Sequence, residues 1–348
     1  MARSLKIVMF GVGAMGSRIA RLLLQKEGAR IVGAIDVAPD KVGRDLGDVI
    51  GLGRELGVLV SNEADVVLSR TKPDVVVHAT SSFLREVYTQ LEEIVSHGVS
   101  VVSTCEELTY PFLTEAELAR ALDLLAKREN VAVLGTGINP GFLMDTLAIT
   151  LTGACQDVTR IEVRRRINAA TRRLPFQKKI GAGLTIEEFN RQVEGKVITG
   201  HVGLEQSIGM IAASLGWKLD KITTEPIEAV VVKRPVESPE IKVAAGCVAG
   251  LRQRAHGVMS GLNVITLDFQ AYLCAEEEYD SITIEGTPNI SQRISPCVHG
   301  DLGTVALVVN SIPKLINASP GLVTMTMLPV PSAALGNMAN HVETTGKN

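Results

Sequence analysis

Cysteine is scarce and scattered. Cys105, Cys155, Cys247, Cys274 and Cys297 form an odd set without a C-x-x-C pair. That spacing leaves neither a disulfide framework nor a structural zinc site, and no metal is expected. A basic excess is also missing: 35 Lys and Arg stand against 38 Asp and Glu, which excludes nucleic acid as the main partner. The apolar runs are short or broken by glycine and charge, so none reads as a membrane span. The N-terminal MARSLKIVMFG has no small-residue cleavage site and runs straight into a glycine turn. It reads as a first buried strand, not a secretion signal, and a cytoplasmic location is the expectation. No internal repeat is visible.

What remains is an ordinary globular composition, 46% hydrophobic and 21% charged over 348 residues, long enough for two domains. Up to residue 140 strands and helices alternate: strands at 5–10, 30–35, 74–79, 99–104 and 131–135, helices at 17–26, 83–97 and 115–129. That rhythm indicates βαβ units on a parallel sheet. Beyond Asn139 the pattern changes to longer strands at 160–167, 225–234, 264–275 and 279–285, with a helix at 185–194. The expected fold is therefore α/β: an N-terminal Rossmann domain with a doubly wound parallel sheet, followed by an α+β domain on an open mixed sheet. A buried helix at 300–315 is expected to return to the first sheet. The division becomes 1–141 plus 300–348 for dinucleotide binding and 142–299 for substrate binding and dimerisation. An open sheet buries its face somewhere, which predicts a homodimer. The polar tail from Asn337 is expected to be mobile.

Gly11-Val12-Gly13-Ala14-Met15-Gly16 stands between a strand and a helix. Gly11 permits the turn, Gly13 admits the backbone to a pyrophosphate and Gly16 lets the helix sit close to the strand. The anion then rests on free N–H groups at the positive end of a helix. Asp36 ends the second strand, where a carboxylate accepts from ribose hydroxyls and repels a 2′-phosphate. NAD is thus favoured over NADP, a preference that Lys41 and Arg44 soften unless they belong to a solvated loop. Ala79, Thr80 and Ser81 follow the next parallel strand, where ligands bind beyond the strand ends. His78 precedes them as a second candidate base, although a histidine still inside a strand reads first as a packed, hydrogen-bonded residue.

Glu106 and Glu107, in Ser103-Thr104-Cys105-Glu106-Glu107-Leu108, follow the next strand. Neighbours at a strand end point to opposite sides, so one glutamate can enter the cleft while the other faces out. A desolvated carboxylate can exchange protons near neutral pH, as amine chemistry requires. Cys105 reads as a small packed residue. In Gly135-Thr136-Gly137-Ile138-Asn139-Pro140-Gly141-Phe142, Asn139 is placed to bond a nicotinamide carboxamide and Phe142 to wall the substrate, or the segment is an interdomain hinge. Lys178 and Lys179, beside Gln177 and a helix start at Thr185, offer positive charge for a substrate carboxylate, or a solvated basic face.

With GVGAMG, STCEELTYP, GTGINPGF and RRLPFQKKIGAG laid out, the chain resembles the 2,4-diaminopentanoate dehydrogenase family, which includes the native amine dehydrogenases and is related to dihydrodipicolinate reductase. The resemblance implies reversible NAD(P)-linked oxidative deamination of a 4-amino group to 2-amino-4-oxopentanoate and ammonia. It also implies that Glu106 or Glu107 serves the amine. In broader relatives with a Glu-Lys-Pro motif the catalytic lysine falls at position 107, which favours Glu107. The paired-histidine signature of dihydrodipicolinate reductase is missing, which argues against a role in lysine biosynthesis. An imine or enoyl reductase and a non-catalytic NAD-binding regulator are the competing readings.

Overall fold

The computed structural model describes residues 4–343 and divides into two compact units, one of residues 4–142 with 300–343 and the other Leu143–His299. In the first unit β1 (Leu5–Phe10), β2 (Ala29–Ile35), β3 (Val60–Ser61), β4 (Val75–His78), β5 (Ser100–Ser103) and β6 (Ala132–Gly135) all pair in parallel, in the order β6-β5-β4-β1-β2-β3. A seventh strand, Gly321–Val323, adds parallel to β6 at the edge. The helices α1 (Ala14–Leu23), α2 (Leu46–Val49), α3 (Ala64–Thr71), α4 (Leu84–Ser96) and α5 (Ala116–Arg128) follow successive strands.

The central strands are buried on both faces, which is why they read as unbroken apolar runs. Val8 and Phe10 of β1 share one core with Val67 of α3, Leu84 and Leu91 of α4 and Leu122 of α5. Ile7 and Met9 are equally buried on the opposite face. The helix Gly300–Ile316 packs against α1, β4, β5 and β6. This is a doubly wound Rossmann sheet, and its order reverses between β1 and β4, where such folds open a crevice at the strands' carboxyl ends.

The second unit is built on a mixed sheet in the order Ile290–Ile294, Tyr279–Thr287, Asp157–Asn168, Leu262–Tyr272, Val248–Met259 and Lys221–Thr224. Its one parallel pair joins Asp157–Asn168 to Leu262–Tyr272. Phe189, Ile208 and Ile211 from the helices Ile186–Glu194 and Leu204–Ser214 share its core with Ile161, Val163, Ile265 and Leu267. Polar residues of the sheet form a network of their own. Arg252 grips Asp268 with two nitrogens at 2.9 and 2.8 Å, and Gln270 joins Asp268 to Arg166.

The tail is the first correction. Within the described residues 337–343 the tail is packed: Met338 is fully buried and its N–H donates to the Glu27 carbonyl at 2.8 Å, while the rest of that expectation, 344–348, lies outside the described residues. Asn337 caps the short turn Met338–His341 through its side chain. The polar composition hid one buried methionine and a set of caps.

Candidate active site

The residue after each central strand is held by a last rung of the parallel ladder. Gly11 N–H donates to the Ile35 carbonyl, Ala79 to Phe10, Thr104 to His78 and Thr136 to Ser103, at 2.8, 2.8, 3.0 and 2.9 Å. Four strand ends are thereby drawn into one row. Ala79, Thr104 and Thr136 from that row line a cleft of about 300 Å³, together with Gly13, Ala14, Met15, Thr80, Ser81, Ser82, Glu106, Gly137, Asn139, Pro140 and Thr304.

Gly11 has φ +91°, in the region that favours glycine, and a Cβ there would stand 2.3 Å from the Ala79 carbonyl oxygen. A Cβ on Gly16 would stand 2.0 Å from the Gly11 carbonyl oxygen, so helix α1 approaches the turn as closely as glycine allows. At Gly13 the same test meets nothing within 4 Å. That space opens beside the start of α1, whose N-cap makes no side-chain bond and whose first turn carries no acid. A dinucleotide fits these residues: open space and uncapped N–H groups suit the pyrophosphate. The Thr136 hydroxyl, buried without a hydrogen-bond partner in the cleft wall, suits a further polar contact.

Asp36 is more committed than its sequence position suggests. Its Oδ2 accepts from Val12 N–H and from Lys41 Nζ, both at 2.8 Å, and its Oδ1 accepts from Ala38 N–H at 2.9 Å. Burial opposes its ionisation, but the bonds from Lys41, Ala38 and Val12 outweigh burial and hold the carboxyl below its ordinary value. Lys41 therefore sits on the carboxylate that the sequence reading expects to receive the ribose.

His78 is a packed histidine. Its Nε2 lies 2.8 Å from Gln90 Oε1 and 3.0 Å from Thr80 Oγ1, and its Nδ1 lies 2.8 Å from Ser103 Oγ. An amide oxygen only accepts, so Nε2 carries the proton and Ser103 donates to Nδ1. Burial brings its pKa down to about 4, against the hydrogen bond to Gln90. Burial also pushes the Cys105 thiol up to about 12, which leaves it inert at neutral pH.

The two glutamates part company. They stand at the start of a 3₁₀ turn, Glu107–Thr109, not in an extended strand, so the turn and not the pleat separates their directions. Thr109 fastens the turn by donating its hydroxyl to the Glu106 carbonyl at 2.7 Å. Glu106 lines the cleft. Glu107, favoured by the resemblance, instead accepts the backbone N–H of Leu84 on Oε2 at 2.8 Å.

Other anticipated residues lie elsewhere. Phe142 walls a separate apolar cavity of about 220 Å³ with Ile138, Leu307 and Pro331. Gln177 is fully buried, its amide nitrogen donating to the Arg172 carbonyl at 2.6 Å and its oxygen accepting from Ser238 at 2.7 Å. Thr185 and Glu188 close a capping box at the helix Ile186–Glu194, so that helix start is already occupied by its own carboxylate. Lys178 and Lys179 are exposed. Missed in the sequence were Thr104, Thr136, Gly137, Pro140 and Thr304. Thr104 and Thr136 directly follow parallel strands and carried that signal. Nothing in the sequence tied Thr304 to the Ile138 N–H that its hydroxyl accepts at 3.2 Å.

Comparison with known proteins extends the resemblance over nearly the whole chain. The family model of the 2,4-diaminopentanoate dehydrogenase C-terminal domain matches residues 142–344, and that of the dihydrodipicolinate reductase N-terminus matches residues 5–109. The chain is 39% identical to a 2,4-diaminopentanoate dehydrogenase of Acetoanaerobium sticklandii, covering 98% of each. It is 24% identical to an amine dehydrogenase of Streptomyces virginiae, over 93% of this chain and 96% of that one. The solved amine dehydrogenase of Mycobacterium smegmatis superposes with a TM-score of 0.83 at 32% identity, covering 96% of this chain and 99% of the other.

Proposed function

Since this chain belongs to the 2,4-diaminopentanoate dehydrogenase family, we propose that it catalyses the reversible NAD(P)-dependent oxidative deamination of a small amine or diamino acid, with Glu106 moving the protons. The observation that carries this reading is the place of Glu106 in the wall of the cleft, beside Gly13, Thr104 and Asn139. Gly11 to Gly16, Ala79, Thr80, Ser81 and Asn139 hold the dinucleotide, and Asp36 receives its ribose, with NAD used at least as well as NADP.

A bound nicotinamide supplies the hydride acceptor for deamination and the hydride donor for the reverse. Glu106 takes a proton from the substrate ammonium, which frees the nitrogen lone pair to expel hydride from the adjacent carbon. Once that proton has passed to solvent, the same carboxylate draws a proton from the water that adds to the iminium carbon and passes it to the nitrogen, which departs as ammonia and takes up the remaining hydroxyl proton to leave as ammonium. Amine in its ammonium form, water and oxidised cofactor thus give ketone, ammonium, reduced cofactor and one proton. The exposed ammonium groups of Lys178 and Lys179 attract a substrate carboxylate. The helix start at Thr185 takes no part, because Glu188 fills it. Two copies associate through the polar sheet face of the second unit, a state that light scattering measures directly.

The test follows the reduced-nicotinamide absorbance with amines, alcohols and amino acids. Turnover should require an amine. Glu106→Gln should slow hydride transfer roughly 10²–10⁴-fold while dinucleotide affinity stays unchanged. Turnover of alcohols alone, or a Glu106→Gln enzyme as fast as the parent, overturns the reading. No turnover with any compound leaves an NAD-binding regulator.

A further inference from the structure

Helix α4 begins without a cap of its own: its N-cap residue is Phe83, which makes no side-chain bond to the first turn. The acid in that turn, Glu86, is engaged by the hydroxyl of Ser81. The orphan N–H of Leu84 is satisfied from a different part of the chain, by Glu107 Oε2 at 2.8 Å. A second bond runs the other way, from Glu107 N–H to the Ser82 carbonyl at 3.1 Å. One residue therefore joins the β4–α4 loop to the turn after β5 through its backbone and its side chain together. Both joined segments carry cleft wall, Thr80, Ser81 and Ser82 on one side and Thr104 and Glu106 on the other.

We propose that Glu107 is a positioning residue that clamps these two loops and so sets the shape in which the cleft receives the dinucleotide. The assignment rests on the dehydrogenase reading above. It gives adjacent glutamates separate tasks: one faces the cleft, and the other serves as the missing cap of α4. The surroundings of Glu107 suit a hydrogen-bond acceptor better than a fixed charge. Burial raises its carboxyl above the ordinary range, and the nearby Glu115 and Glu86 add to that rise, against the Leu84 N–H and Arg85. Arg85 is itself paired with Glu115 at 2.6 Å. Charge is not needed to accept the Leu84 N–H, because an amide oxygen does so in the same place.

That difference supplies the test. Glutamine at 107 keeps the acceptor and loses proton exchange, whereas alanine loses both. Dinucleotide affinity is read by quenching of intrinsic fluorescence, without any amine, and hydride transfer by stopped flow at saturating cofactor. Glu107→Gln should stay within about threefold of the parent in both measurements. Glu107→Ala should weaken dinucleotide binding by roughly five- to tenfold, as loss of a helix cap allows, with the transfer step at saturation far less affected. Slow exchange of the Leu84 amide should persist in the glutamine variant. If the alanine variant does not fold, Glu107→Gln decides alone: retained binding and transfer support the clamp. A hundredfold slower transfer in Glu107→Gln makes Glu107 the base and overturns the proposal, as does parental affinity in Glu107→Ala. Because affinity is measured without substrate, an enzyme that turns over no amine defeats the functional reading and leaves the clamp to be judged on binding.

Discussion

The Val12 N–H donates to Oδ2 of Asp36 at 2.8 Å, so the glycine-rich turn hangs from the end of the neighbouring strand. Asp36 is thereby part of the turn's support as well as the proposed ribose acceptor, and Lys41 shares the same oxygen.

Replacing Asp36 by alanine should cost NAD affinity about tenfold, roughly the worth of one charge-assisted bond. NADP should lose less, because the freed Lys41 can meet a 2′-phosphate. Titration of each dinucleotide against parent and variant checks this. A parent that already prefers NADP by tenfold contradicts the assignment of the ribose to Asp36.

Gly13→Ala and Gly16→Ala should separate binding from folding. The methyl at 13 meets no protein atom within 4 Å, so thermal stability should hold while dinucleotide affinity falls at least about tenfold. The methyl at 16 would lie 2.0 Å from a backbone oxygen, and overpacking of that kind costs about 1–3 kcal/mol. A Gly13→Ala protein that binds like the parent would show that the pyrophosphate lies elsewhere.

The buried His78 predicts a pH dependence. Its folded pKa of about 4 lies below the ordinary 6.5, so the fold favours the neutral ring. Its contribution is complete above pH 6.5 and is lost as pH falls toward 4, amounting to about 3 kcal/mol across that window. Urea unfolding at pH 7 and pH 4.5 should show a smaller drop for His78→Gln than for the parent. The variant-minus-parent difference is the quantity to read, since His201 is also held neutral by burial. Equal slopes contradict the account.

Lys178→Ala or Lys179→Ala should raise KM for a diamino acid by about tenfold and leave a simple amine nearly unaffected, since both side chains stand in solvent. Thr185→Ala should instead cost about 1 kcal/mol of stability through its capping box and change neither KM. Steady-state kinetics with the two substrates separates these roles.

Much of the first sheet was legible because its strands are buried on both faces and stop at glycine or at a polar residue. β1 coincides with the apolar run 5–10, and Asp36 stands where the period predicts it. The strand Val248–Met259 was hidden for a physical reason. One of its faces is Leu251, Gln253, Ala255 and Gly257, where only leucine is large and apolar, because the helix Leu204–Ser214 lies close. A Cβ on Gly257 would come within 3.0 Å of Ile208. That helix was hidden in turn because it is buried on several sides and shows no polar stripe. At the site, strand ends and glycines were readable. The different settings of Glu106 and Glu107 were not, since they depend on a 3₁₀ turn and on an uncapped helix more than twenty residues earlier.

The placement of Gly300–Ile316 and Gly321–Val323 with the first sheet also bears on how the protein is made. A ribosome delivers the first unit in two instalments, with all of Leu143–His299 translated between them. Without Gly321–Val323, β6 would be the edge of the sheet, and an edge strand leaves backbone groups open to pairing. Thr304, which completes the cleft wall, belongs to the same second instalment. The cleft wall and the sheet edge are therefore complete only once the last segment of the first unit has been made.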